Sequence, residues 1–341
     1  MGKQEIQVPT QGQLVDRDIG LMCLPVIVMA VFYYGPRALG LILAAMLTAA
    51  ISDRITALLT GKKPLKGDRS SLVTALLIVL LMPVTVRFRV VVVAVLVGIL
   101  IGKEAFGGSA TAPFHPTAVG FCVAAAAWPG EVFRYPDPQQ WMGPGLLNWE
   151  QFVRIWSYAG VSPVETAAYT LQHAGIPQIS VWKLWLGDAS GPMGTGAAVV
   201  ILACAVFLLV RKKLSFSATF SFLLVSVLIA FFLPCAPEDA WSTNLLLNWQ
   251  VRLQVMQYEM LSGGMLFMAV FLLNNPYILP KNLRSKIVYG VLMGVGAMMF
   301  RYFGTFEMGI CFAFLLVNAV SGFFDRVFAK RLPQPKGEAE A

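Results

Sequence analysis

The sequence predicts an all-α, multi-pass membrane protein with about ten transmembrane helices arranged as two inverted five-helix repeats. Three observations lead to this fold class. The 341 residues are 57% hydrophobic and only 13% charged, with a mean hydropathy of +0.69. One order of features occurs twice along the chain, and the basic residues concentrate in alternate loops. A soluble domain of this length does not need so much apolar surface, so the bilayer is the expected solvent.

The repeat pairs residues 71–125 with residues 262–316. Each stretch begins with Ser and an apolar run that ends at Pro, followed by a basic hinge and a second apolar run. Each then carries Phe-Gly, at Phe106-Gly107 and at Phe303-Gly304, and a last short span. Membrane proteins with internal repeats usually place their binding or conduction site where the halves meet. We therefore expect a path between the repeats, near these glycine breaks.

Ten apolar segments are candidates for membrane spans. Several are shorter than the ~20 residues of a full crossing, and the fifth, preceded by Pro113 and Pro116, suits a half-helix after a re-entrant loop. The segments are 20–35, 37–60, 69–83, 87–103, 115–128, 195–211, 214–234, 258–275, 284–303 and 307–325. They divide the chain into an N-terminus (1–19), a first repeat (20–128), an outer loop (129–194), a second repeat (195–326) and a C-terminal tail (327–341).

Lysine and arginine set the expected orientation. With the N-terminus inside, 17 of the 26 basic residues fall on the inner side and 8 on the outer side, while Arg54 lies within a span. This excess predicts a multi-pass protein of the cytoplasmic (inner) membrane with both termini in the cytoplasm. Five spans per half then require the second repeat to enter the membrane upside down. No removable signal peptide is expected, because no small-residue cleavage site follows the first apolar run.

The outer loop 129–194 is too long for a structureless connection, so it is expected to be folded or functional. All eight tryptophans fall on the outer side of the predicted topology. An aromatic belt at the membrane interface is the simpler explanation, and packing of some rings on a planar cofactor is the alternative. The tryptophans are Trp128, Trp141, Trp149, Trp156, Trp182, Trp185, Trp241 and Trp249.

Residue types argue against several metal and nucleotide sites. The five cysteines lie singly in or beside apolar runs, which favours buried free thiols over zinc or an iron–sulfur cluster. The two histidines, His115 and His173, lie on opposite sides of the predicted membrane, which excludes a bis-histidine haem. His115 precedes Pro116 and is expected to begin a helix. The sequence has no Walker A signature and no Gly-x-Gly-x-x-Gly after a strand.

Few charged residues lie in or near the spans, and such residues are functional candidates. Asp53 and Arg54 are ambiguous, because they can also snorkel or pair with loop charges. The glycine-rich stretch from Gly187 to Gly194 precedes a span, where its backbone amides would face an anion or form a plain tight turn. The charged candidates are Asp53, Arg54, Glu104, Glu259, Arg301, Glu307 and Asp325.

Four stretches resemble one known family in order along the chain. The most specific is K-E-A-F-G-G-S-A-T-A-P-F-H-P-T-A-V-G at 103–120, which resembles the K-x-x-F-G-G-x-G-x-N-P-F-N-P-A-x-V-G segment of the RnfD/NqrB family. Leu186 to Gly194, Leu261 to Met265, and Phe303-Gly304 with the span ending at Ala319 resemble three further family segments. Ala112 and His115 stand where the family has asparagines, so the chain resembles a divergent member.

This resemblance implies a membrane subunit of an Rnf-type or Na⁺-NQR-type electron-transport complex. Family members attach flavin mononucleotide (FMN) through its phosphate to a threonine of an S-G-A-T-like motif on the outer loop, and the flavin carries the redox chemistry. The matching place here is 160–168, G-V-S-P-V-E-T-A-A, which implies Thr166 and Ser162 as cofactor-binding residues. The motif departs from the family pattern, because Glu165 aligns with the threonine and Thr166 comes one residue later.

Three functional hypotheses follow. The favoured one is a subunit of an ion-translocating ferredoxin:NAD oxidoreductase complex, which carries electrons through a flavin on the outer face and couples them to Na⁺ or H⁺ transport. In this hypothesis the chain acts with the other subunits and does not bind NAD itself. The alternative is a solute channel or transporter of urea-transporter-like architecture without a redox cofactor. A third is an assembly scaffold that has lost its flavin, which Glu165 would favour.

Overall fold

The computed structural model describes residues 11–61, 68–138, 164–173, 175–233, 249–304 and 308–328, and its regular structure in these ranges is helical. The first set of helices comprises α1 (Gln11–Tyr34), α2 (Pro36–Thr60), α3 (Ser70–Leu80), α4 (Phe88–Leu96) and α5 (Pro116–Ala127). A π-helical turn, Val97–Ile101, continues α4, and a 3₁₀ turn, Glu104–Phe106, follows it.

Among the described residues between the first set and the second lie three short helices: α6 (Pro129–Val132), α7 (Ala167–His173) and α8 (Val181–Leu186). The second set comprises α9 (Ala198–Val210), α10 (Phe216–Phe232), α11 (Trp249–Leu261), α12 (Met265–Phe267), α13 (Leu283–Phe303) and α14 (Ile310–Phe328). A π-helical turn, Met268–Leu272, continues α12. The described parts of the 129–194 loop are therefore partly helical.

Length and composition identify the clearest membrane spans among the described residues. Helices α2, α13 and α14 are each long and apolar enough to cross a bilayer. A fourth span results if α11 and α12, with its π turn, count as one broken helix bent by 56°. The bend lies where Gly263 and Gly264 both have positive φ, which a residue with a side chain rarely adopts. Helix α1 has 24 residues but is not one of these spans, and the apolar helices α3, α5, α9 and α10 have only 10–17 residues. The ten predicted crossings therefore stay a prediction.

Helix ends gather at two faces of the molecule. At one face, here called the basic face, Arg211 after α9 pairs with Asp18 of α1 at 3.3 Å, and Asp325 of α14 accepts from the Lys281 amide. At the opposite face, called the loop face, Tyr34 at the end of α1 donates to the Gly191 carbonyl at 3.1 Å. Helix α1 is therefore fixed at both ends to the second half of the chain.

Two short elements form the middle of the bundle. Nearly every residue of α3 is buried, and so are Met265 and Phe267 of α12 and all five residues of the following π turn. An apolar helix with no solvent-facing side lies inside the protein rather than on its surface. The segment before α9 closes the loop-face end of α3, because the amides of Met193 and Gly194 donate to the carbonyls of Met82 and Leu80.

The helix pairings of the first set recur in the second. Helix α2 packs against α4 and α4 against α5, while α10 packs against α13 and α13 against α14. Glycines permit the close approach of α4 and α5. A Cβ on Gly120 would lie 2.4 Å from the Ala94 carbonyl oxygen, so a larger residue there would force the two helices apart.

Candidate functional site

The first family-like segment begins at a buried lysine on the basic face. Lys103 donates to the Ser71 hydroxyl at 2.8 Å and pairs with Glu104 at 3.1 Å and with Asp68 at 3.6 Å. Ser71 in turn donates to Asp53 at 2.6 Å. This network joins α2, the start of α3 and the end of α4. It gives Asp53 and Glu104, two of the charged candidates, partners inside the protein, whereas Arg54 is exposed.

The Lys103 ammonium favours the ionised form of Asp68. Partial burial opposes ionisation of Asp68, but the Lys103 ammonium and the hydrogen bond from the Ser70 amide outweigh it. The pKa of Asp68 is therefore held below its usual range. The lysine that opens the segment thus acts as the cation that holds three helix ends together.

The rest of this segment is built by local backbone geometry. Gly107 and Gly108 have φ angles of 90° and 113°, which explains two glycines at this turn. Thr111 donates its hydroxyl to the carbonyls of Phe106 and Gly108. His115 begins α5 as expected, since its Nδ1 accepts the amide hydrogen of Thr117 at 3.2 Å. Its ring is buried and packs edge-on against Phe314.

A cavity of about 20 Å³ lies next to this segment at the basic face. It is enclosed by the start of α1, one side of α3, residues 109–116 and the chain after α12. Its polar lining consists of Asp16, Ser70, Thr74, Ser109, His115, Asn275 and Tyr277. Tyr277 closes it against α1, where a Cβ on Gly12 would overlap the Tyr277 hydroxyl.

A second cavity of about 20 Å³ lies at the loop face and contains Thr166. Thr166 directly precedes α7, and its hydroxyl accepts the Tyr169 amide at 3.1 Å, so it caps that helix. The neighbouring Ser190 donates to the Glu165 carbonyl at 3.1 Å. Further lining comes from the glycine-rich loop, from Thr195 and Gly196, from the α11–α12 bend, and from the side chains of Tyr135, Leu184 and Met308. Thr166 therefore lies between the loop and the bent helix.

The lining offers a phosphate ester some hydroxyls but no cation, and the cavity volume is too small. Among the described residues, the hydroxyls of Ser190, Thr195 and Ser262 line the cavity together with apolar side chains, and no carboxylate, lysine or arginine side chain lines it. Its volume corresponds to about one water molecule, so neither a flavin ring nor its phosphate fits inside. Attachment of FMN at Thr166 would therefore require the hydroxyl to leave its capping bond and turn outward. Ser162, the other predicted cofactor-binding residue, lies outside the described residues.

Several amides of the glycine-rich loop bond within the protein rather than face an anion. Gly187, with φ of 102°, ends α8, and its amide donates to the Lys183 carbonyl. The amides of Asp188, Met193, Gly194 and Thr195 also donate to main-chain carbonyls. Tyr33 and Tyr34 donate to the carbonyls of residues 186 and 191. These five amides are therefore not available for a phosphate.

A buried ion pair lies beneath the loop-face cavity. Arg301 of α13 pairs with Glu259 of α11, and both side chains are less than a tenth exposed. Arg301 also donates to the Ser262 carbonyl at 3.1 Å and to its hydroxyl at 2.6 Å. The arginine thereby ties α13 to the bend between α11 and α12. Glu307, another charged candidate, lies outside the described residues.

Sequence reasoning missed the polar residues that only tertiary contacts bring together. Asp16, Ser70 and Tyr277 are far apart in the chain and carry no motif, yet they line one cavity. The available signal for Asp16 was its place just before the first apolar segment. Glu259 and Arg301 were each predicted as charged candidates, but the sequence did not show that they form a pair.

A bundle with buried central helices, polar cavities at two faces and ion pairs inside its apolar body defines a multi-pass membrane protein with internal polar sites. The chain belongs to the NQR2, RnfD, RnfE family, whose sequence profile matches residues 6–333. This confirms the resemblance drawn from the motifs.

Individual relatives are distant but match over most of their length. A protein from Yersinia pseudotuberculosis serotype I (strain IP32953), named as a subunit of the ion-translocating oxidoreductase complex, is 24% identical, over 92% of this chain and 91% of that protein. Proteins of the same name from Cronobacter sakazakii (strain ATCC BAA-894) and Haemophilus influenzae (strain PittEE) are 26% and 25% identical. The matches cover 88% of both chains in the first case and 87% in the second.

Proposed function

We propose that this chain is the membrane subunit of an Rnf-type ion-translocating ferredoxin:NAD oxidoreductase complex. It carries electrons through FMN at the loop face and couples them to transport of Na⁺ or H⁺, while the other subunits supply electrons and bind NAD. The family membership and the names of its relatives support the complex. The single observation that carries the cofactor site is the position of Thr166 in a cavity between the glycine-rich loop and the broken helix.

The proposed topology has ten crossings in two inverted repeats, with the basic face in the cytoplasm. The recurrence of the α2–α4–α5 pairings as α10–α13–α14 supports a repeat. The third element of each set, α3 in one and α11 with α12 in the other, includes a short stretch that is buried in the bundle. Half-helices of this kind occur at repeat interfaces of transporters. Positive charge at Lys103 and Arg211 on the basic face fits the cytoplasmic side.

FMN would be held through its phosphate by Thr166, with Ser162 as a further contact. The flavin accepts and donates electrons when bound, and the residues of this chain fix its position. Thr166 anchors the group, and the hydrogen bonds from Tyr33 and Tyr34 to the carbonyls of residues 186 and 191 hold the surrounding wall against α1. Because the cavity admits only one water, the flavin ring would lie outside it.

The test is flavin fluorescence of the denatured, full-length chain, expressed with its partner subunits and separated by gel electrophoresis. Only a covalent flavin survives denaturation, so a fluorescent wild-type band is expected. Thr166→Ala should abolish it. Thr170→Ala is the matched control, because Thr170 lies one turn further on α7 and donates to the Thr166 carbonyl. Retained fluorescence in Thr166→Ala would move the attachment elsewhere.

A second experiment distinguishes the redox role from the alternative hypothesis, a solute channel or transporter without a cofactor. If wild-type protein holds neither covalent nor loosely bound flavin and conducts a solute in liposomes, the solute channel hypothesis replaces this proposal. A reporter fused near residue 165 tests the topology. If the reporter shows that residue 165 lies in the cytoplasm, both the proposed orientation and the outer flavin site are wrong.

A further inference from the structure

The basic-face cavity contains a carboxylate without a sufficient partner. Asp16 is 7% exposed, and its Oδ2 atom is buried without a hydrogen-bond partner. The Ser70 hydroxyl, which lines the same cavity, is also buried and without a partner. Each of these residues is therefore more than nine-tenths buried while a polar atom stays unsatisfied. Native proteins rarely leave such atoms without a partner, so a bound water, proton or small cation is needed to satisfy them.

The nearby Lys103 ammonium does not supply the missing partner of the Asp16 carboxylate. Lys103 acts electrostatically on Asp16, but so does Asp68, with the opposite effect. The hydrogen-bonding and ion-pair contacts of the Lys103 ammonium go to Ser71, Glu104 and Asp68. On α1 itself, Asp18 pairs with Arg17 and Arg211. An ionised carboxylate that is buried without a paired cation is strongly disfavoured, so Asp16 must bind either a proton or another cation.

The size and lining of the cavity limit the occupant. A volume of about 20 Å³ suits one water molecule or one small ion and excludes a ring-sized ligand. Hydroxyl and carboxylate oxygens from Asp16, Ser70, Thr74 and Ser109 are present, and such oxygens are ligands for hard cations. The other titratable groups at the cavity are His115 and Tyr277. The His115 Nδ1 already accepts the Thr117 amide and does not supply a positive charge.

We propose that this cavity is a binding site for one small monovalent cation, Na⁺ or a proton, with Asp16 as its charged ligand and Ser70 as a neutral one. Ionisable residues that line cavities in membrane proteins mark ion and proton pathways. The site lies between both halves of the chain, because α1, α3 and residues 275–278 all contribute to it. It provides a place where the coupled ion binds from the basic face, and in this sense it rests on the proposed function.

The test uses the purified full-length chain in detergent and needs no electron transfer. Thermal unfolding is measured in NaCl and in equimolar choline chloride. If Na⁺ is the ligand, it stabilises the wild type, and at ten times its Kd it suppresses the unfolded population about elevenfold. Asp16→Asn should remove this response and keep the fold, because it replaces the carboxylate by a neutral group of similar shape. Asp188→Asn, at the loop face, is the matched control and should keep the response.

A proton is distinguished by infrared difference spectroscopy on the same proteins. If the wild type shows no Na⁺ response but a carboxylic-acid band that Asp16→Asn lacks, the ligand is a proton. If Asp16→Asn fails to fold, Ser70→Ala replaces it and should weaken Na⁺ binding or shift the acid band. An unchanged Na⁺ response in Asp16→Asn, or neither signal in the wild type, overturns the proposal. Neither result bears on flavin fluorescence, so the two proposals fail independently.

Discussion

Arg301 and Glu259 form an ion pair inside the protein, and Arg301 also holds both the carbonyl and the hydroxyl of Ser262. One guanidinium therefore connects α13 to α11 and to the residue where α11 ends. The contact is tight, since a Cβ on Gly263 would lie 2.4 Å from an Arg301 nitrogen. The glycine at this bend is thus required both by its backbone angle and by the arginine beside it.

Removal of Arg301 should be strongly destabilising. Arg301→Met leaves the Glu259 carboxylate buried without its partner, which typically costs about 3–5 kcal/mol. The double variant Glu259→Gln/Arg301→Met should recover part of this loss, because no uncompensated charge remains. Thermal unfolding in detergent measures both, with the exposed Arg54→Met as control. Equal stability of the single and double variants would contradict the ion-pair account.

The basic face should lose stability in acid through Asp68. Its pKa is lowered in the folded protein, so its contribution is complete above the unfolded value of about 3.9 and is lost as the pH falls toward the folded value. We expect the wild type to lose more stability than Asp68→Asn between about pH 5 and pH 3. Unfolding midpoints at a series of pH values check this, and parallel curves for both proteins would refute it.

In protein that carries no flavin at Thr166, the hydroxyl of this residue should stabilise α7 locally by capping it. Thr166→Val removes the oxygen that accepts the Tyr169 amide, which typically costs about 1 kcal/mol. That amide should therefore exchange with solvent about fivefold faster, while Thr166→Ser should exchange like the wild type. Hydrogen exchange with mass spectrometry of peptides from α7 provides the measurement. No difference between the two variants would show that the cap does not hold this helix.

Gly194 should tolerate no side chain. A Cβ there would lie 2.6 Å from the Leu80 Cβ, where the loop donates its backbone hydrogen bond to the end of α3. Gly194→Ala should therefore cost about 1–3 kcal/mol, as overpacking of a core does. Gly322→Ala in α14 is the control, because nothing lies within 4 Å of its added carbon. Similar unfolding temperatures for both variants would show that the loop moves aside easily.

Apolar length predicted the long helices well. The segments 37–60 and 284–303 correspond to α2 (Pro36–Thr60) and α13 (Leu283–Phe303), because proline and glycine mark the ends of α2 and hydrophobicity fills each helix. The segment 258–275 instead bends at Gly263 and Gly264. Sequence reasoning did not predict this break, although glycines suit a bend of this kind; its angle is 56°, and Arg301 packs beside it.

The polar sites were less predictable, for a physical reason. A charged residue in an apolar segment can be recognised from sequence, but its partner depends on which helix ends meet. Lys103 contacts Ser71 and Asp68, about 30 residues earlier, and Asp16 shares a cavity with Asn275. Thr166 was found through a resemblance alone, and its capping bond to Tyr169 has no signature in that motif.

The attachment of α1 at both ends has a consequence for biogenesis. Tyr34 contacts a carbonyl 157 positions later in the chain, and Asp18 contacts an arginine 193 positions later. At synthesis rates of about 5–20 residues per second, roughly 8–30 seconds pass after synthesis of the first helix before either partner exists. During that interval an insertase or lipid must shelter it, so defects in the second half should surface as misinsertion of the first helix.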